Sequence, residues 1–115
     1  MRPDFALVGG SLGANLALRV MAKDERVVTA VSLSPYVEAR GMTTDDAMKE
    51  IGDRPVYLIA GQEDSEPAES VRALLALAAG DVQVRLYPHG AHGTALFVLD
   101  SQLAPSIITW LDAHN

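Results

Sequence analysis

The chain has 115 residues, of which 49% are hydrophobic and 21% are charged, and this is the composition of one ordinary globular domain. Its 15 acidic and 9 basic side chains give a formal net charge of −6. That charge argues against binding to nucleic acid or to an anionic membrane surface, because both need a basic face. The sequence contains no cysteine, so disulfides, thiolate metal ligands and cysteine nucleophiles are excluded.

Four apolar runs of strand length alternate with helix-like sequence along the chain. The predicted strands cover residues 5–8, 27–34, 55–60 and 82–87, and the predicted helices begin near residue 12 and then cover 44–51, 67–79 and 101–113. Alternating strands and helices are typical of a parallel sheet with right-handed crossovers. We therefore expect a single α/β domain with a four-stranded, mainly parallel sheet flanked by helices.

The two ends of this predicted sheet differ in pattern. The run at 82–87 alternates apolar and polar residues, which is typical of an edge strand. The run at 5–8 is almost continuously apolar, like an internal strand, but only four residues precede it and these are too few to supply a neighbour. An open apolar edge invites pairing with another chain. We therefore expect a homo-oligomer, most simply a two-fold dimer.

A glycine-rich turn joins the first predicted strand to the first helix. Gly9-Gly10-Ser11-Leu12-Gly13 matches G-x-S-x-G, the pattern of a turn that presents a nucleophilic serine above a sheet. Both outer glycines are expected where strand and helix pass too closely for a Cβ, and the N–H of Leu12 is a candidate donor to an oxyanion. The motif alone fits a tight structural turn equally well. Phosphate or dinucleotide binding fits less well, because G-x-G-x-x-G and a following Lys-Ser or Lys-Thr are absent.

A serine nucleophile needs a base, and two of the three histidines follow the fourth predicted strand. A loop at the carboxyl end of a parallel strand is where site residues collect in such sheets. His92, between alanine and glycine, is the preferred base, whereas His89 is expected to form hydrogen bonds within its loop. His114 is expected to be a solvated residue at a helix end.

The base needs an acid to orient it, and three acidic residues follow the third predicted strand. Among Glu63, Asp64 and Glu66, Asp64 is preferred because the turn after the strand leaves it near the expected carboxyl edge of the sheet, and Glu63 is the second choice. The alternative for Asp64 is an acidic residue at the start of the helix near Pro67, a common role for aspartate. The order serine, acid, histidine along the chain is that of the α/β-hydrolases.

Four segments together resemble a known family: VGGSLGANLAL, SLSP, RPVYLIAGQEDSEPAESVRAL and VRLYPHGAHGTALF. They are similar to the carboxyl-terminal half of α/β-hydrolases of the dienelactone-hydrolase and esterase-like type. The resemblance implies a truncated, half α/β-hydrolase fold whose last helix packs on the opposite face from the others. It also implies Ser11 as nucleophile, Asp64 as acid and His92 as base. The half that normally gives the second oxyanion N–H and much of the substrate pocket has no counterpart here.

The leading hypothesis is a serine hydrolase of small carboxylic esters that works through an acyl-enzyme and needs no metal or cofactor. The alternative is a non-catalytic half-domain that acts in oligomerisation or interaction, or that needs a separate amino-terminal half. The sequence shows neither the layout of a signal peptide nor an uninterrupted apolar span, so we expect a cytoplasmic protein.

Overall fold

The computed structural model describes residues 4–114, so part of the segment before the first strand lies outside the described residues. These described residues form six strands and five helices, in chain order β1 (Phe5–Gly10), α1 (Leu12–Lys23), β2 (Val27–Leu33), β3 (Glu38–Ala39), β4 (Met42–Thr43), α2 (Asp45–Ile51), β5 (Val56–Gly61), α3 (Ser65–Leu77), β6 (Val82–Tyr87), α4 (Ala95–Leu99) and α5 (Leu103–His114). No helix within 4–114 is long and apolar enough to cross a membrane.

The main sheet has the order β1-β2-β5-β6, and each neighbouring pair is parallel. This confirms the predicted α/β fold with four parallel strands. Every residue of β5 is buried, as expected for a central strand. β6 lies at one edge, as predicted, and β1 lies at the other, where Phe5 and Val8 are exposed.

Helices cover both faces of this sheet because alternate residues of the central strands point to opposite sides. Ala30, Val56 and Leu58 pack against α1, α2 and α3 in one core. Tyr57 and Ile59 pack in a second core against side chains of α4 and α5, including Trp110. The last helix therefore lies on the opposite face from the first three, as the resemblance implied.

Two hydrogen bonds fix α5 on its face of the sheet. The indole Nε1 of Trp110 donates to Thr29 Oγ1 at 2.9 Å, and the hydroxyls of Tyr57 and Ser106 are 2.8 Å apart. The ring of His114 packs on Trp110 with a centroid distance of 3.8 Å, and its side chain is only 21% exposed. The interpretation of His114 as a solvated residue is therefore wrong, because the last turn of α5 lies against the sheet.

Two short elements were not predicted. β3 and β4 form an antiparallel hairpin after β2, with Arg40 and Gly41 both at positive φ in its turn. α4 contains only five residues and precedes the last predicted helix. Elements this short carry too few residues for a hydrophobic period to be recognised. The predicted start of the third helix at residue 67 is two residues late, since α3 begins at Ser65.

Candidate active site

Ser11 joins β1 to α1 in a backbone conformation that non-glycine residues rarely adopt. Its φ is 57° and its ψ is −117°. Such a conformation costs on the order of 1–3 kcal/mol and persists only where its surroundings hold it. The Ser11 N–H donates to Leu33 O at 2.8 Å, and the Ser11 carbonyl accepts from Ala14 N at 3.0 Å. The strand beside it and the helix after it therefore hold the serine in this strained turn.

The two outer glycines of the motif have different roles. A Cβ at Gly9 would collide with the carbonyl oxygen of Gly13, so strand and helix cross too closely for a side chain at Gly9. A Cβ at Gly13 would meet no atom within 4 Å. The expectation that both positions need glycine is therefore confirmed for Gly9 and wrong for Gly13, because the crossing crowds only the strand residue.

His92 lies in the loop between β6 and α4, and a buried serine on β2's carboxyl side holds that loop. Ser34 has a φ of 57°, and its Oγ accepts a hydrogen bond from the N–H of Gly93 at 2.8 Å. The bond ties the residue after His92 to the end of the central strand β2. Ser34 therefore positions His92, although sequence reasoning assigned it no role.

Asp64 occupies the N-cap position of α3, but its side chain makes no capping hydrogen bond. Its Oδ2 lies 2.6 Å from Nδ1 of His92 instead. The carboxylate of Glu63, the second choice for the acid, makes no hydrogen bond within the described residues. The structure thus brings Asp64 to His92, whereas an ordinary helix-capping aspartate would bond to the first turn of its own helix.

The other ring nitrogen of His92 faces the serine. Nε2 of His92 lies 2.9 Å from Ser11 Oγ. An ionised carboxylate only accepts hydrogen bonds, so Nδ1 carries the hydrogen toward Asp64 and Nε2 presents a lone pair to the serine hydroxyl. The His92 side chain is 37% exposed and that of Asp64 19%, so the imidazole is more open to solvent than the carboxylate. The arrangement can take a proton from Ser11.

His89 has the local role expected of it. Its Nδ1 accepts a hydrogen bond from Ala91 N at 3.2 Å, and its ring stacks on Tyr87 at a centroid distance of 5.2 Å. It thus braces the loop that carries His92. Among residues 4–114, the histidines and carboxylates form no group of three that could hold a metal ion.

Leu12 is the first residue of α1, so its N–H has no acceptor within the helix and points out of the helix N-terminus. Leu12 lines a shallow cavity of about 400 Å³ together with Ser11 and Tyr36. Charged residues of the hairpin and of α3 complete the cavity: Glu38, Arg40 and Glu66. A small ligand in this cavity would therefore lie against both Ser11 and Leu12.

Tyr36 is a residue of the site that sequence reasoning missed. Its hydroxyl lies 3.4 Å from His92 Nε2, and the two rings are tilted at a centroid distance of 5.8 Å. Burial, followed by the carboxylates of Asp64 and Glu66, raises the pKa of the Tyr36 hydroxyl above its ordinary value. Its place just after a parallel strand, at the same sheet edge as His92, is the signal that could have found it.

A buried asparagine of α1 holds the segment that carries Tyr36. Asn15 Oδ1 accepts from the backbone N–H of Tyr36 at 2.8 Å, and its Nδ2 donates to Met42 O at 3.0 Å. Asn15 is fully buried, so these two hydrogen bonds replace those that its amide would make to water. One side chain thereby fixes both Tyr36 and the hairpin relative to the helix that begins beside Ser11.

No protein-family model matches the chain, and no curated protein matches its sequence. Solved structures do match. The dienelactone hydrolase from Anabaena variabilis superposes with a TM-score of 0.74 at 22% identity, covering 95% of this chain and 49% of its own. The acetyl xylan esterase from Paenibacillus sp. R4 has a TM-score of 0.75 at 18% identity, covering 96% and 45%.

Acetyl xylan esterase 1 from Thermoanaerobacterium sp. matches less of the chain. Its TM-score is 0.64 at 18% identity, covering 76% of this chain and 39% of its own. The chain thus spans about half the length, or less, of the structures it matches. At these identities the likeness concerns the fold. The chain has the fold of about half of an α/β-hydrolase domain.

Proposed function

We propose that the chain acts as a serine hydrolase on small, uncharged carboxylic esters through an acyl-enzyme. The observation that carries this proposal is the pair of hydrogen bonds that links Ser11 Oγ to His92 Nε2 and His92 Nδ1 to Asp64 Oδ2. The strained backbone of Ser11 supports it, since strain at a functional group persists where the surrounding structure is built to hold it.

In the proposed reaction, Ser11 Oγ attacks the ester carbonyl carbon while His92 Nε2 takes the hydroxyl proton. The oxygen–carbon bond to the alcohol then breaks, and His92 returns the proton to the departing alkoxide. Water next attacks the acyl-enzyme, again giving its proton to Nε2, and Ser11 recovers a proton as the acid leaves. Asp64 remains ionised and stabilises the imidazolium that forms at each step.

The cavity's charges support an uncharged substrate. Glu38 and Glu66 line it against a single guanidinium, that of Arg40. The chain as a whole carries a formal charge of −6, which repels anions as they approach. The N–H of Leu12 at the positive end of α1 is the backbone donor for the developing oxyanion.

A fluorophosphonate probe followed by mass spectrometry tests the proposal. We expect stoichiometric labelling at Ser11, lost in Ser11→Ala and slowed at least about 10²-fold in His92→Ala, because a general base contributes about 10²–10⁴-fold. His114→Gln, a histidine substitution on the other face of the sheet, should label like the wild type. Hydrolysis of p-nitrophenyl acetate should follow the same order. A folded sample that neither labels nor exceeds the Ser11→Ala control in hydrolysis contradicts the proposal.

A second candidate is a non-catalytic half-domain that binds another chain. The exposed apolar side chains of β1 and α1 favour it, because Phe5, Val8 and Leu16 are each at least 44% exposed. The probe separates the two candidates, since a half-domain that acts only by binding needs no reactive serine.

A further inference from the structure

We propose that the hydroxyl of Tyr36 supplies the second hydrogen bond to the oxyanion, beside the N–H of Leu12. This inference rests on the proposed hydrolase function and names a further catalytic residue for it. A tetrahedral intermediate places a full negative charge on the former carbonyl oxygen, and losing one donor to that oxygen typically costs about 10²–10³-fold in kcat. Leu12 offers one backbone donor, and the Tyr36 hydroxyl is a side-chain donor beside the same cavity.

Tyr36 lies where such a donor is needed. It lines the same cavity as Ser11 and Leu12. Its hydroxyl lies 3.4 Å from His92 Nε2, the nitrogen that is also 2.9 Å from Ser11 Oγ. The tyrosine and serine hydroxyls therefore flank one nitrogen, and an acyl group on Ser11 would have its oxygen within the same cavity.

The proton transfer itself frees the hydroxyl hydrogen of Tyr36 to bond to the oxyanion. In the free protein the Ser11 hydroxyl at 2.9 Å and the Tyr36 hydroxyl at 3.4 Å share the single lone pair of His92 Nε2. Once Nε2 has taken the proton from Ser11 it has no lone pair left, so the Tyr36 hydroxyl loses its acceptor. The substrate oxygen becomes anionic in the same step and replaces that acceptor. The new hydrogen bond is thus stronger in the transition state than in the ground state, which is the condition for raising kcat.

The structure also keeps Tyr36 protonated and in place. The raised pKa of its hydroxyl, caused by burial and by nearby carboxylates, preserves the O–H donor at neutral pH. Asn15 holds the Tyr36 N–H at 2.8 Å, and Thr44 Oγ1 donates to the Tyr36 carbonyl at 2.7 Å. A donor fixed before the reaction needs little reorganisation during it.

Steady-state kinetics of Tyr36→Phe on p-nitrophenyl acetate test the inference, with Tyr57→Phe as the matched control. The first variant keeps the ring that packs on His92 and removes only the hydroxyl. The second removes a buried tyrosine hydroxyl that bonds to Ser106 on the other face of the sheet. We expect kcat of Tyr36→Phe to fall by about 10²-fold, with KM little changed. Tyr57→Phe should keep the wild-type kcat even if its melting temperature falls.

The other outcomes would overturn either the role of Tyr36 alone or the hydrolase proposal with it. A wild-type kcat in Tyr36→Phe, or a change in KM alone, overturns the inference while leaving the hydrolase proposal intact. An equal loss of kcat in both tyrosine variants also overturns it, because destabilisation then explains the effect. A wild-type protein that neither labels with fluorophosphonate nor turns over ester removes the hydrolase proposal, and the role of Tyr36 falls with it.

Discussion

Asp64 sits where a helix cap is expected and yet turns its carboxylate away from the helix. Because that side chain makes no capping hydrogen bond, replacing it should cost little stability. Asp64→Asn would instead leave an amide in front of Nδ1 of His92 and disfavour the tautomer whose Nε2 lone pair faces Ser11. We expect kcat for p-nitrophenyl acetate to fall by about 10³–10⁴-fold, with the melting temperature almost unchanged.

Glu63→Gln is the matched control for this prediction. Glu63 precedes Asp64 in the chain and is exposed, so neutralising it removes a nearby charge without touching His92. Its kcat should stay at the wild-type value. A drop in melting temperature for Asp64→Asn without a drop in kcat would show that the helix start, rather than the histidine, depends on this carboxylate.

Residues that follow successive parallel strands could be placed from the sequence. Ser11, Asp64 and His92 each come after a strand, and parallel strands present their carboxyl ends at one edge. Asn15 follows no strand, and Ser34, although it follows β2 directly, has a role that its position does not reveal. Each acts through a hydrogen bond to a distant loop, Ser34 to Gly93 and Asn15 to Tyr36, and no local pattern encodes such a contact.

The crossing of β1 over α1 is an element-scale constraint that two glycine variants can test. Gly9→Ala places a methyl group against the backbone of α1, so we expect a loss of about 1–3 kcal/mol in the free energy of unfolding. The shifted helix would also move Ser11, so fluorophosphonate labelling should slow. Gly13→Ala places its methyl group in open space inside a helix. The free energy of unfolding of Gly13→Ala should therefore rise by up to about 1 kcal/mol.

Urea unfolding monitored by circular dichroism measures both changes. The opposite signs matter more than either magnitude, because the two substitutions are chemically identical and lie in the same motif. If Gly13→Ala destabilises as much as Gly9→Ala, the strand and helix crowd each other at both positions and the asymmetry is absent.

The strands and long helices could be predicted because burial requires apolar residues, and these form a recognisable pattern along the sequence. β5 is buried at all its positions, and its sequence is correspondingly apolar. The hairpin β3–β4 has two residues per strand, and its position comes from contacts with α1, such as the Arg19 guanidinium donating to Thr43 O at 3.0 Å. The part of the cavity wall that the hairpin forms was for that reason not predictable from the sequence.

At the scale of the whole molecule, the described residues expose an apolar surface along the open edge strand and the first helix, which we call the β1–α1 face. It consists of four exposed residues, one on the open edge strand and three on one stripe of α1: Phe5, Leu12, Leu16 and Val20. Among the described residues β1 pairs only with β2, so the backbone groups along its outer edge are free to pair with another strand. A second copy related by a two-fold axis would bring two β1 strands together antiparallel and cover both stripes.

We expect this chain to form such a dimer at micromolar concentrations, and a lysine in the α1 stripe to prevent it. Leu16 is 53% exposed at the middle of the stripe, so Leu16→Lys leaves the fold intact but puts a charge into the shared surface. Ile108→Lys is the control, because Ile108 is 58% exposed on α5, away from the β1–α1 face. Light scattering should give twice the chain mass for the wild type and Ile108→Lys and a single chain mass for Leu16→Lys. A wild type that stays at one chain mass across this range contradicts the dimer, and an Ile108→Lys monomer would place the interface on α5 instead.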